Sequence, residues 1–177
     1  MPLHPPMSFQ LKATRLTMRP RDESDVDDYR ALVVERDQRA RSLERGDLMP
    51  TAENIRARIT TQLAEREQTG LAFLPIVRRD EGNFIGYCGL IAGNASVDEP
   101  EIAYELLQRA HGCGYATDAA RAALEAAIAT GRRRLWSTVR AWNAPSLRVL
   151  EKLGFDRDHV STPDARGEMV WMTRDLP

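Results

Sequence analysis

Apolar positions along this chain change period several times, and the changes divide it into elements. Residues 15–20 (RLTMRP) alternate polar and apolar and stop at a proline, as a short strand does. In SDVDDYRALVVE, Val26, Tyr29, Leu32 and Val33 recur at helical spacing, with Ser24 or Asp25 as N-cap and acids in the first turn. A second helix is predicted after Thr51, where Ile55, Ile59 and Leu63 repeat every four residues and Gly70 ends the run. The period then shortens. LAFLPIV and FIGYCGLI are β-rich runs joined by RRDEGN, in which Gly82 and Asn83 supply a hairpin turn. EIAYELL follows as a third strand of this series.

From Tyr115 the residues Ala116, Ala119, Ala120, Ala123, Leu124, Ala127 and Ile128 mark one helix face, and Gly131 ends it. That face is mostly alanine, so the helix must pack close to its sheet. RLWSTV is the next strand. NAPSLRVLEKLGF is a short helix capped by Asn143 with Pro145 in its first turn. Final strands are predicted over 156–160 and 168–174. The order β-α-α-β-β-β-α-β-α-β-β predicts an α+β fold, a mixed sheet with helices against it, in one domain spanning 11–177. Residues 1–10, with three prolines, predict a flexible arm. The polar linker at 39–50 carries no legible period.

Composition mainly excludes. A formal net charge of −1 gives no global positive field to draw in nucleic acid or anionic lipid. No apolar run approaches the roughly 18–20 residues that span a bilayer, and MPLHPPMSFQ lacks the pattern of a signal peptide, so a cytoplasmic location is expected. Cys88 and Cys113 have no metal-type spacing, and no metal is expected. Lys12 and Lys152 are the only lysines among 25 basic residues, and the arginines are scattered rather than patched.

The candidate chemistry lies in RAHGCGYA, residues 109–116, where a strand runs into a glycine-rich turn that opens a helix. Free N–H groups and the helix dipole both favour an anion there, and glycine lets it come close. A Walker A loop would need Gly-Lys-Ser/Thr, but Gly114 is followed by Tyr115 and Ala116. A dinucleotide fingerprint would need a glycine at Thr117 after a first strand. The pattern that fits is R/Q-x-x-G-x-G/A, read as Arg109-Ala-His-Gly112-Cys-Gly114.

With that pattern, the chain resembles the GNAT superfamily of acyl-CoA-dependent N-acyltransferases, and within it the RimJ/RimL-like branch. LTMRPRDESDVDDY is similar to the branch's first strand and helix, FIGYCGL to its central hairpin, EIAYELLQRAHGCGYATDA to its acyl-CoA motif and NAPSLRVLEKLGF to its N-x-x-S helix. The resemblance implies a mostly antiparallel sheet of six to seven strands, flanked by helices and splayed between the fourth and fifth strands, here 101–107 and 134–140. It implies acetyl-CoA as co-substrate and a primary amine, on a protein N-terminus or a small molecule, as acceptor. The implied cofactor contacts are Glu105, Leu106, Leu107, Arg109, His111, Gly112, Cys113, Gly114, Tyr115, Ala116, Asn143 and Ser146. It gives Ser146 the role of acid at the leaving sulfur, Glu101 that of base, and a backbone N–H near Glu105 that of donor to the carbonyl oxygen. Glu101 and Glu105 share parity and should emerge on one face of their strand.

The chain departs from the branch at His111, where tryptophan is usual, at Cys113 in place of a cation, at Asp118 in place of glutamate, and at Leu150, where some relatives place a tyrosine acid. Plainer readings stay open. Gly112 and Gly114 suit any tightly packed helix start, Ser146 any first turn, and Glu101 a solvated strand end, while Glu105 reads as cleft wall more readily than as base. Asp47, Asp98 and Glu99 are candidates for an acidic mouth. A homodimer is compatible with these readings, and so is an acyl-CoA-binding sensor without turnover.

Overall fold

The computed structural model describes residues 3–41, 47–48 and 50–177, so residues 42–46 and 49 of the unread linker lie outside the described residues. Each periodic run becomes the element its spacing predicts. In chain order these are β1 (Leu11–Lys12), β2 (Leu16–Met18), α1 (Val26–Glu35), α2 (Ala52–Thr69), β3 (Phe73–Arg78) and β4 (Phe84–Ile91). They continue with β5 (Glu101–Leu106), α3 (Tyr115–Ala129), β6 (Arg134–Arg140), α4 (Ala144–Lys152), β7 (Asp156–Val160) and β8 (Met169–Asp175).

The described residues form one eight-stranded sheet in the order β1-β2-β3-β4-β5-β6-β8-β7. All neighbours are antiparallel except β5 and β6. The strand beyond the expected six or seven is β1, whose two residues pair with Met18 and Thr17. Two residues are too few to display alternation. Met7, inside the predicted arm, is 2% exposed, and its N–H donates to Gly70 O at 3.0 Å, so that part of the arm is fastened to the end of α2. Asp25 is the N-cap of α1, as expected, but its side chain does not cap that helix. It reaches back to the Asp22 N–H, while Asp22 accepts from the Ser24 N–H, in a capping box on the short 3-10 turn that precedes α1.

Helices α1 and α2 cover one face of the sheet, with Tyr29, Leu32, Val33, Ile55 and Ile59 buried against Phe84, Tyr87 and Leu107. The larger core lies on the other face, under α3 and α4. There Ala119, Ala120, Ala123 and Ala127 are fully buried, as the mostly alanine face of α3 requires for close approach. α4 presses Leu147 and Leu150 into the same core.

Strands β5 and β6 part after a single register pair, Glu101 with Trp136. The Trp136 N–H still donates to Pro100 O at 2.9 Å. One step on, Thr138 is turned away from the ladder: its N–H donates to a Glu101 carboxylate oxygen at 3.1 Å and its hydroxyl to the same oxygen at 2.7 Å. The Ile102 carbonyl accepts from Ser137 Oγ at 3.0 Å instead. The Glu101 side chain is thus a wedge that takes over a ladder bond and lets the strands diverge.

Candidate functional site

The split opens into a cavity of about 1130 Å³. Its wall brings together four of the predicted site residues, Glu101, Glu105, Asn143 and Ser146. The other predicted positions follow β5 outward. The Leu107 side chain is buried, and its N–H donates to Ile85 O at 2.8 Å within the β4 ladder. The Leu106 carbonyl accepts from His111 Nε2 at 2.9 Å, which fixes that nitrogen as the protonated one and commits the ring to the backbone. Arg109 reaches back to Phe84 O at 2.7 Å.

Beyond them the loop turns. Gly112 and Gly114 have φ of 73° and 79°, a left-handed backbone suited to glycine. A Cβ added at Gly112 would meet nothing within 4 Å, and one at Gly114 would meet only an Arg15 side-chain nitrogen at 3.2 Å. Helix α3 starts at Tyr115 with no side-chain cap, so the N–H groups at Tyr115 and Ala116 begin it without a capping acceptor. Arg15 supplies a cation beside Cys113, a position that itself carries none. It donates to Asp118 at 2.5–3.0 Å and to the Cys113 carbonyl at 2.9 Å, and its guanidinium lies 4.6 Å from the Tyr115 ring centre.

Backbone direction along β5 follows from the Leu107–Ile85 bond. In an antiparallel ladder, groups of one parity face one neighbour, so the odd residues pair with β4 and the N–H groups of Tyr104 and Leu106 face the split. The donor expected near Glu105 is therefore not Glu105's own N–H, which lies in register with Tyr87. Side chains alternate the other way across the sheet. Tyr104 meets the first turn of α4, its hydroxyl donating to Ser146 O at 3.0 Å. Burial raises the Tyr104 pKa well above that of a free phenol, so it stays protonated as a donor. The Ser146 N–H is held by Asn143 Oδ1 at 3.4 Å, and the half-buried side chain borders the cavity.

Glu105 points to the α1–α2 side. Arg36 Nε lies 3.1 and 3.2 Å from its two oxygens, and Arg36 Nη2 and Tyr87 OH reach Oε2 at 3.0 and 3.3 Å. Arg36 Nη1 also binds Asp47 at 2.9 Å, and Arg58 holds the other Asp47 oxygen at 2.7 Å. Burial opposes the charge on Arg36, but Glu105 and Asp47 outweigh it and keep the guanidinium pKa above its ordinary value. The three acids suggested for a mouth do not converge. Asp47 is fully buried in this network, Glu99 accepts from Trp136 Nε1 at 3.0 Å, and Asp98 is exposed elsewhere.

Tyr104, Thr138, Arg36 and Tyr87 were not singled out from the sequence. Parity along β5 could have found Tyr104. Nothing local could have found Arg36, because its partner Glu105 is 69 residues away.

Residues 15–156 match the acetyltransferase (GNAT) domain family. No curated protein sequence matches the chain significantly. Solved structures share its fold. RimL, a ribosomal L7/L12 α-N-protein acetyltransferase solved in complex with coenzyme A, superposes with a TM-score of 0.78 at 18% identity, covering 98% of each chain. An acetyltransferase from Agrobacterium tumefaciens gives 0.74 at 24% identity over 93% of both chains. RimJ from Mycobacterium smegmatis, solved with a CoA disulfide, gives 0.72 at 18% identity over 94% of this chain and 85% of its own. Among the described residues, no helix is long and apolar enough to cross a membrane.

Proposed function

The chain belongs to the GNAT acetyltransferase family, and from that premise we propose that it transfers the acetyl group of acetyl-CoA to a primary amine, on a protein N-terminus or a small molecule, with both substrates held in the cleft at once. The observation that carries this reading is the split between β5 and β6, continuous along β5 with a bare glycine loop at the start of α3. The residues fit the coenzyme. A pyrophosphate suits N–H groups at a helix start that no side chain caps, and an amide-bearing arm suits the unpaired edge of β5. That RimL and RimJ were solved with coenzyme A supports the same assignment.

Acetyl-CoA, when bound, supplies a thioester whose carbonyl carbon is the electrophile. The loop from Arg109 to Ala116 holds the phosphates through backbone, with His111 and Arg109 bracing the turn and Cys113 and Tyr115 flanking it. Asn143 lines the cleft and Leu106 leads from it along β5 to the loop, whereas the Leu107 side chain is buried under α1 and α2 and serves the fold. The split-facing N–H groups of Tyr104 and Leu106 donate to a carbonyl oxygen lying against the β5 edge, where preorganised donors act without reorganising. Ser146 gives its hydroxyl proton to the departing thiolate, its α4 turn fastened to β5 by Tyr104. The amine's proton leaves toward the opposite face of β5, which carries Glu101 and Glu105. Holding both reactants together makes a covalent enzyme intermediate unnecessary.

Ser146→Ala tests the acid. Turnover should fall roughly 100-fold, within the range for losing a general acid, while acetyl-CoA affinity stays within about threefold, because Ser146 is one contact among many backbone ones. Unchanged turnover would remove Ser146 from the mechanism.

A further inference from the structure

The two carboxylates on the acceptor face of β5 have different surroundings. Glu101 is 4% exposed, and its oxygens accept from the Asn94 N–H and from both Thr138 donors. It is committed to holding the strands apart. The Glu105 side chain is 25% exposed and borders the cavity. Among the described residues, its Oε2 takes Arg36 and Tyr87, whereas Oε1 takes Arg36 Nε alone. A carboxylate oxygen accepts two hydrogen bonds, so Oε1 keeps a lone pair for a donor arriving in the cleft.

The neighbourhood suits a cation. Tyr87 packs edgewise on Tyr29 and Phe73 at centroid distances of 5.9 and 4.5 Å, and all three border the cavity. The Arg21 guanidinium lies 4.4 and 5.5 Å from the Tyr29 and Tyr87 ring centres, so this wall already holds a cation near the carboxylate. Arg36 does not spoil this. It is shared with the fully buried Asp47, which also binds Arg58, so its charge is not spent on Glu105 alone. The same sharing fixes Arg36 from behind, so that the Glu105 carboxylate keeps one orientation at the cleft wall.

We propose that Glu105 binds the acceptor's ammonium and takes its proton, and that Arg36, fixed by Asp47, is the positioning residue for Glu105. One N–H proton passes to a Glu105 oxygen, the pair left on nitrogen forms the C–N bond as the C–S bond breaks, and the second N–H proton replaces the one that Ser146 gives to the departing thiolate. The inference rests on the acetyl-transfer reading.

The test uses the full chain with acetyl-CoA, two amines (alaninamide and 2-phenylethylamine) and their hydroxyl isosteres (lactamide and 2-phenylethanol). Thiol release gives kcat and KM for each amine, and competition gives the affinity of its isostere. The wild type should prefer at least one amine over its isostere by tenfold or more. Glu105→Gln should bring that preference to within about threefold of unity and lower kcat/KM at least 100-fold, with acetyl-CoA affinity unchanged. Arg36→Lys should keep the preference with a reduced kcat, and Arg36→Ala should lose both. A Glu105→Gln protein that binds acetyl-CoA and keeps the wild-type preference overturns the proposal alone. A wild type that binds acetyl-CoA and acetylates neither amine nor any other primary amine overturns the transfer reading, and the proposal with it.

Discussion

Substitution of Gly112 by alanine separates what the loop costs the fold from what it does for a ligand. At φ of 73° the backbone is left-handed, which costs an alanine about 1 kcal/mol or slightly more. The added methyl meets nothing within 4 Å, so no steric cost is added in the free protein. For a chain of this size about 1 kcal/mol lowers Tm by roughly 2–4 °C. Gly82, in the β3–β4 turn, is the matched control, with φ of 66° and nothing within 4 Å. Its alanine variant should lose the same few degrees. The two diverge with ligand. Acetyl-CoA at 100 times its Kd should stabilise the wild type and Gly82→Ala by about 2.7 kcal/mol. On the proposed assignment, the methyl at Gly112 stands where a phosphate approaches. Loss of one charge-assisted hydrogen bond, about 1.5–3 kcal/mol, weakens binding roughly 10- to 150-fold. The same acetyl-CoA concentration would then add only about 0.3–1.4 kcal/mol. Differential scanning fluorimetry of the three proteins, with and without acetyl-CoA, measures this directly. Equal protection of Gly112→Ala and Gly82→Ala would refute the phosphate assignment, whatever the variants' stabilities.

Two further outcomes follow from burial. Leu150, where some relatives place a tyrosine, is fully buried on the inner face of α4, so Leu150→Ala should cost about 2–5 kcal/mol in denaturant unfolding; a cost under 1 kcal/mol would mean that α4 is not packed as described. Burial pushes the Cys88 thiol up to about 12, whereas Cys113 is exposed in the glycine loop. A thiol reagent at pH 8 should therefore label one cysteine per native chain, at Cys113, and acetyl-CoA should slow that reaction; rapid labelling of both would contradict the fold around β4.

Period and punctuation carried most of the fold. FIGYCGLI is strand β4 residue for residue, Thr51 caps α2 through the Asn54 N–H, and Gly70 closes that helix at φ of 69°. These signals are local, so a single sequence displays them. The glycine loop was legible for the same reason. What escaped was set by distance or brevity. A two-residue strand has no period, and no spacing announces the 3-10 turn that Asp22 caps just before α1. Glu101 and Glu105 share a face as their parity requires, but their different surroundings come from Thr138 on a neighbouring strand and from Arg36 after α1. Chain order does not disclose those contacts.

The central claim is tested most directly by incubating the chain with deuterated acetyl-CoA and a panel of primary amines, following amide product by mass and coenzyme A by thiol release. The account predicts deuterated amide and free thiol in equal amounts, both well above the rate without amine. Tight binding of acetyl-CoA with no amide formed and no thiol released above background would contradict it, and would leave a GNAT fold that senses acyl-CoA without transferring the acyl group.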